Sequence, residues 1–310
     1  MTRSPIDIPK GRRFDVAGFG TNAVDHLITV AAYPDFNTKV ELVGHRQLPG
    51  GEVASTMVGL TRLGLKTAYA GRFGDDAEGV VGQSSLREEN VDISFCETIA
   101  GASTQIAFIV IDSTTGERTI MWQRDAALSF DPEDAPTALA RECRILHMTP
   151  HDTAACARMA SAAREMGTIV SVDVDNHFDG LDNLLPLVDI CIISSEFPQK
   201  FFGHDIEIGA ALETLSTNFG CPIVGATLGE RGSVFFVNGR HISSPGHAVP
   251  GGCVDTTGAG DAFRAGFLYG VVSGFSIEDS CAVANKVAAL KCRGLGARTA
   301  LPMLAEIANT

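Results

Sequence analysis

The segment Val254-Asp255-Thr256-Thr257-Gly258-Ala259-Gly260-Asp261-Ala262-Phe263 sets three small residues and an aspartate at the head of an apolar run over 262–272. Gly258, Ala259 and Gly260 permit close backbone approach and conformations that larger residues resist. The apolar run predicts a helix, so its first amides lack intrahelical partners and face whatever lies over the loop. Those amides and the positive end of the helix dipole form an anion site. A carboxylate opposes an anion there electrostatically. Asp261 therefore makes chemical sense as a base that takes a proton from a nucleophile attacking a bound phosphate. The competing reading is a Gly-rich turn with Asp261 as a helix cap, and the decapeptide alone supports both equally.

Moving outward, 227–233 (TLGERGS) ends a predicted strand in a Gly-spaced turn before a second strand. Its hydroxyl and free amides could hold nucleotide phosphates, or form a plain β-turn. After the apolar run, 276–292 reads as a long helix capped by Ser276, with Glu278 and Asp279 in its first turn. Asn285 lies within it among alanines and valines, where a polar side chain needs a partner, either a nucleotide base or a neighbouring backbone group.

Residues 14–19 (FDVAGF) form a short buried strand, and 18–23 match the dinucleotide fingerprint GxGxxA. That fingerprint requires a helix directly after it, yet 24–30 (VDHLITV) is β-branched and alternating, so a nicotinamide-type site is disfavoured. Asp25 then stands near the end of the first strand, where α/β sheets place ligands, or caps a turn. Residues 39–47 alternate as a half-buried strand and lead to Gly50-Gly51, which open a small-residue helix over 54–64. Asp75 and Asp76 suit helix capping better than metal binding. Residues 104–111 and 118–122 form a hairpin through a turn at 112–117. With the strands near 26–30 and 39–47 it makes a small second sheet. A helix over 131–144 and strand–helix alternation from 145 to 237 predict a parallel sheet wrapped by helices.

The 310 residues suffice for a sizeable core, and 45% hydrophobic against 20% charged residues excludes general disorder. With 24 Lys and Arg against 37 Asp and Glu the net charge is −13, which argues against a nucleic-acid surface. The eight cysteines are scattered without a CxxC pair and mostly sit in apolar runs, as buried thiols of a reducing cytoplasm do. No apolar leader and no stretch of about 20 apolar residues is visible, so neither secretion nor a membrane span is expected.

Together these motifs resemble the ribokinase-like (PfkB) carbohydrate kinases over nearly the whole chain, from Phe14 to about Pro302. The resemblance is carried in order by Gly50-Gly51 with Leu63-Gly64, by 71–76 (GRFGDD) with Gly79, and by 116–119 (GERT) on the hairpin. Thr227, Gly229 and Gly232 follow, then the 255–263 signature, the most specific of the set. No GxxxxGK[ST] occurs, which disfavours a Walker-type NTPase. The resemblance implies an α/β ribokinase-like three-layer sandwich with a mostly parallel central sheet and a small β-sheet lid. It implies one domain over 1–310, with the lid at about 26–47 and 104–123. It further implies ATP-dependent phosphorylation of a sugar hydroxyl with Mg²⁺. In that scheme Asp261 is the base, the amides of Gly258, Ala259, Gly260 and Asp261 are the anion hole, and Asp25 accepts a sugar hydroxyl. Gly50, Gly51 and Ser55 line the sugar pocket, and Ser195, Glu196, Thr227, Gly229, Gly232 and Asn285 fall on the ATP side. Asp255 and Thr257 sit where some members hold a monovalent cation such as K⁺, and many members dimerise through the lid.

Several positions depart from the family pattern. Ser55 replaces a frequent Asn, Ser194-Ser195 precede Glu196 where Asn is usual, Pro198 replaces a frequent acid, and Asp173-Val174-Asp175 replaces Asp-Pro-Asn. The C-terminal segments 288–292 and 296–298 are similar to sulfofructose kinases. An anionic acceptor would need a basic side chain, and Arg124 on the lid side is the candidate, against a solvated hairpin arginine. A nucleoside kinase and a non-catalytic sugar or nucleotide sensor on the same fold are the alternatives; a sensor would need no base at position 261.

Overall fold

The computed structural model describes all residues except Met1, Arg3, Gly116, Asn309 and Thr310, so the first residue of the 116–119 motif lies outside the described residues. The chain begins with β1 (Phe14–Phe19), β2 (Ala23–Val30), β3 (Leu42–Gly50), α1 (Glu52–Arg62), β4 (Thr67–Ala70), β5 (Arg72–Gly74) and α2 (Ala77–Glu88). It continues through β6 (Glu97–Ile99), β7 (Ile106–Asp112), β8 (Arg118–Gln123), α3 (Thr137–Glu142), β9 (Cys143–Met148), α4 (Thr153–Glu165) and β10 (Ile169–Val174). After α5 (Leu181–Leu184), β11 (Ile190–Ser194), α6 (Phe197–Phe202), α7 (Ile208–Phe219) and β12 (Ile223–Thr227) come β13 (Ser233–Val237) and β14 (Arg240–Ser244). Helices α8 (Ala259–Val272), α9 (Ile277–Lys291) and α10 (Leu304–Ala308) close the order.

The main sheet runs β14-β13-β12-β11-β10-β9-β1-β4. Strands β4 to β12 in that order are parallel, and β13–β14 form an antiparallel edge hairpin. Strand residues alternate between two cores, as period-2 side chains must. Ile190 and Ile192 of β11 pack with α1, α8 and α9, whereas Cys191 and Ile193 pack with α4 and α7. Three layers result. The lid is a separate sheet of order β3-β2-β7-β8, and β2 leaves β1 after only three residues. A strand therefore follows Gly18–Asn22 where a dinucleotide site needs a helix.

Three local expectations required correction. β3 runs to Gly50, three residues beyond the predicted end, because Pro49 lies on an edge strand where a missing N–H is tolerated. The predicted helix over 131–144 is a short turn at Pro132–Asp134 and then α3, since Cys143 already belongs to β9. β14 was not foreseen; its residues RHISS carry little apolar signal. Asp76 does cap α2, accepting from the Gly79 amide at 2.8 Å, and Ser276 caps α9.

Candidate active site

The lid, the ends of β10–β12 and the start of α8 enclose a cleft of about 340 Å³. The 255–261 loop forms its floor. Gly258 adopts φ 75°, ψ 8° immediately before α8, a conformation that a side chain resists. The Ala259 amide turns back to the Thr256 carbonyl at 3.0 Å, so the expected anion hole narrows to the amides of Gly258, Gly260 and Asp261. These three donate to no acceptor among the described residues. Asp261 sits in the first turn of α8, and its main-chain oxygen accepts from Thr56 Oγ1 of α1 at 3.3 Å. Burial raises its carboxyl well above the usual range, Glu52, Asp173 and Asp25 add to the rise, and Arg264 opposes it. A carboxylate of raised pKa is a stronger proton acceptor.

Asp25 lies on the cleft face of β2, paired in register with Leu48 and Ala107. Burial lifts its pKa to about 6, against the pull of Arg298. A Cβ on Gly50 would lie 2.1 Å from Asp25 Oδ2, so glycine is needed there to make room for the carboxylate. Gly51, with φ 87°, lines the cleft beside it.

Ser55 does not reach the cleft. It is fully buried and accepts from Arg298 Nε at 3.0 Å. Arg298 also donates to Ser85 Oγ and to the Gly50 carbonyl, so Ser55 acts through the arginine that holds the strand under Asp25. Arg124 is likewise not an anion receptor: its guanidinium grips Asp152 through two bonds of 3.0 and 2.7 Å, outside the cleft.

Of the residues expected to hold the nucleotide, Thr227 lines the cleft, together with Ser194 rather than Ser195. Ser195 and Glu196 border a separate surface depression with Pro198. Gly229 faces open space. A Cβ on Gly232 would strike the Ser244 carbonyl at 2.1 Å, so this glycine serves the β13–β14 approach. The Asn285 side-chain amide donates to Ser244 O, Ser244 Oγ and Ser233 Oγ, fastening α9 to the edge hairpin, the neighbouring-group alternative of the two offered for it.

All three oxygens of Asp255 are engaged. Its carboxylate takes the amides of Thr257 and Gly296, and its carbonyl takes Lys291 Nζ at 2.8 Å. Lys291 is fully buried, and burial lowers its pKa. A protein ammonium thus holds the carbonyl that a free monovalent cation was expected to use.

The sequence motifs did not disclose the rest of the cleft wall. Glu52 pairs with His151 Nε2 at 3.2 Å. Burial pushes each toward its neutral form, but the mutual attraction outweighs it, holding the glutamate below and the histidine above their ordinary values. Asp173 bonds to Arg264, and burial lifts its pKa to about 7. Asp175, whose pKa burial also raises, has no side-chain partner among the described residues. Trp122 meets His151 edge-on at 6.1 Å, with Ala107, Ile109 and Ile120 as an apolar wall beside it. Ser194 Oγ, Thr257 Oγ1 and Arg264 Nε are buried without a partner among the described residues, and all three residues line the cleft. Orphaned donors gathered around exposed helix amides fit an anion held at the start of α8. An arginine inside the apolar α8 pattern was the one readable signal for Arg264.

Comparison with known proteins agrees with this geometry. The profile described as "pfkB family carbohydrate kinase" matches residues 22–304. A fructokinase of Klebsiella pneumoniae is 32% identical over 279 residues, covering 83% of this chain and 89% of its own. A nucleoside kinase of Methanothermobacter thermautotrophicus is 28% identical and covers 94% of each chain. The ribokinase of Arabidopsis thaliana, solved with ribose and ATP, superposes with a TM-score of 0.80 at 22% identity, covering 95% of this chain and 97% of its own. The chain belongs to the pfkB family of carbohydrate kinases.

Proposed function

We propose that this pfkB-family chain transfers the γ-phosphoryl group of ATP to a hydroxyl of an uncharged sugar or sugar derivative. The observation that carries this reading is the pairing of Asp261 with the free amides of Gly258, Gly260 and Asp261 in a cleft that Asp25 also lines, near enough for its charge to raise the Asp261 pKa. The acceptor hydroxyl lies between the two carboxylates. Asp25 accepts a hydrogen bond from a neighbouring acceptor hydroxyl and orients the sugar. As the acceptor oxygen bonds to phosphorus, the bond from phosphorus to the ADP oxygen breaks and the hydroxyl proton passes to Asp261. The helix amides face the charge on the moving phosphoryl oxygens, where fixed dipoles are most effective.

Family kinases use a divalent metal with ATP, and it supplies charge neutralisation at the phosphates. Among the described residues no group of three or more His, Cys, Asp and Glu could hold a metal. Mg²⁺ needs only one or two carboxylates beside substrate phosphates, and Asp175, without a side-chain partner, fits that part.

Five carboxylates line the cleft, Asp25, Glu52, Asp173, Asp175 and Asp261, and Arg264 is already paired with Asp173. Against Arg118 and the paired Arg264 and His151, this excess of carboxylates favours an uncharged acceptor over a sulfo- or phospho-sugar. A nucleoside is the second reading. The indole of Trp122, 59% exposed on the cleft side of the lid, offers a flat face that a base would cover. A coupled assay of ADP release across D-fructose, D-ribose, adenosine, inosine, fructose 6-phosphate and a sulfo-sugar tests the proposal. Turnover is expected with uncharged acceptors; ATP binding without turnover of any acceptor would return the chain to a sensor role.

The outer lid face carries Phe108 and Met121, paired in register, beside stacked His26 and His45. We assign this exposed apolar face to a second copy of the chain. Sedimentation velocity should report a dimer that Phe108→Asp converts to a monomer. Free thiols at all eight cysteines, six of them buried, suit a reducing compartment such as the cytoplasm.

A further inference from the structure

Arg298 lies in the segment between α9 and α10, and its side chain runs inward until it is only 5% exposed. A buried guanidinium ordinarily rests against a carboxylate, as Arg264 rests against Asp173. Arg298 has no carboxylate within ion-pair distance among the described residues. Its bonds go to neutral oxygens instead: Nε to Ser55 Oγ of α1 at 3.0 Å, Nη1 to Ser85 Oγ of α2 at 3.0 Å, and Nη2 to the Gly50 carbonyl at the end of β3. Burial works against its charge and lowers its pKa to about 10, while Asp25, Tyr69, Asp261 and Glu89 support the charge, Asp25 most strongly.

Two of those four are committed elsewhere. Glu89 holds Arg62 through both of its carboxylate oxygens. The Tyr69 hydroxyl donates to the Gly20 carbonyl at 2.7 Å, and burial keeps that phenol neutral. The charges left to answer Arg298 are Asp25 on β2 and Asp261 on α8. Gly50 joins the first of them to the arginine: the Asp25 carboxylate packs where a Cβ on Gly50 would lie 2.1 Å from Oδ2, and Arg298 holds the carbonyl of the same residue. The remaining charges on the two aspartates are Asp255 beside Asp25, which raises its pKa, and Glu52, Asp173 and Arg264 beside Asp261. Arg298 does not line the cleft; with Arg62 and Ser85 it lines a separate small cavity. It therefore sets a positive charge behind the two aspartates without offering it to substrate phosphates.

We propose that Arg298 is a positioning residue, the buried counter-charge that keeps Asp25 and Asp261 ionised and, through Gly50, fixes the strand end against which the Asp25 carboxylate packs. The roles of the two aspartates rest on the kinase reading. Arg298 touches neither substrate and neither gains nor loses a proton.

The test follows kcat/KM for the best acceptor, and the thermal midpoint, across pH for wild type, Arg298→Gln, Arg298→Lys and Ser85→Ala. Arg298→Gln removes the charge and keeps a donor for the Gly50 carbonyl. The acidic limb of its kcat/KM profile should move up by about 1 pH unit, the low end of what a nearby opposite charge is worth. That is a loss of about 5-fold near pH 6 that fades at alkaline pH. Arg298→Lys keeps the charge and should keep the limb in place. Ser85→Ala removes one tether and no charge, so it should lower the midpoint and leave the limb alone. A Gln variant whose limb coincides with wild type overturns the proposal. So does a Lys or Ser85→Ala variant whose limb moves as far as the Gln variant's, which would mark lost geometry rather than lost charge. The midpoints need no turnover: near pH 8 Arg298→Gln should cost fewer degrees in an Asp25→Asn background than in wild type, and equal costs overturn the proposal. If Arg298→Gln does not fold alone, the double variant should, and a double variant that stays unfolded by circular dichroism also overturns it. Absence of turnover in wild type would remove the kinase reading and leave the midpoint comparison to decide on Arg298; equal midpoint costs with wild-type turnover intact would remove only Arg298.

Discussion

Gly258→Ala tests the anion loop at its tightest point. Position 258 holds φ 75°, ψ 8°, and an added Cβ would lie 2.8 Å from Ala297 Cα and Cβ and 3.0 Å from its carbonyl oxygen. The left-handed conformation alone costs a non-glycine residue about 1–2 kcal/mol. The contact adds about 1–3 kcal/mol, because the nearest atoms are backbone and have no rotamer to escape into. The sum is about 2–5 kcal/mol, or about 4–10 °C in thermal midpoint at ~2 °C per kcal/mol for a chain of this size. Relief of the clash would swing the loop away from Ala297 and misdirect the 258, 260 and 261 amides. A displacement of ~1 Å there should reduce kcat by about 10²-fold. Differential scanning calorimetry and steady-state kinetics on the same preparation provide the two readings. A variant with wild-type midpoint and wild-type kcat would refute the claim that this backbone conformation builds the site.

Asp25, with a pKa near 6, must be ionised to accept strongly from a hydroxyl, so kcat/KM for the acceptor should fall as pH drops through about 6. Its folded value exceeds the ordinary 3.8, so ionisation opposes folding: the stabilisation is present at low pH and is lost as pH rises toward 6, by about 3 kcal/mol. Asp25→Asn should therefore raise the thermal midpoint at pH 8 more than at pH 4 and change the shape of the acidic limb of the rate profile, leaving the part that protonation of Asp261 contributes. A profile of unchanged shape would dismiss Asp25 as the source of that limb. Replacing K⁺ by a bulky organic cation should leave wild-type turnover unchanged, since Lys291 already occupies the Asp255 carbonyl. Strong stimulation by K⁺ would contradict this. Lys291→Met, which leaves that carbonyl buried and unpaired, should lower both midpoint and kcat.

The parts of the site that were legible in the sequence are local ones. Gly258 to Asp261 build loop, amides and base within four residues, and Gly50 makes room for an aspartate that occupies the facing strand. What escaped depends on distant segments meeting. Glu52 and His151 lie 99 residues apart, and Arg298 reaches back to Ser55 across 243. The two hairpin arginines show the limit most clearly. Arg118 and Arg124 are six residues apart, which period-2 alternation would put on one face, but β8 ends at Gln123. Arg124 has left the sheet by then and turns to Asp152, so the cleft receives Arg118. Ser55 was placed in the sugar pocket by its position in the family pattern, and Asn285, as a polar group within an apolar helix, was given either a base or a neighbouring group as partner. Both have partners, within the protein.

The account stands most directly on Asp261. Asp261→Asn keeps the shape of the side chain and the main-chain bond from Thr56, and removes only the carboxylate that takes the proton. ADP release with the best uncharged acceptor should fall by about 10²–10⁴-fold, with ATP affinity by titration calorimetry largely kept. Near-normal turnover in this variant would show that Asp261 is not the base.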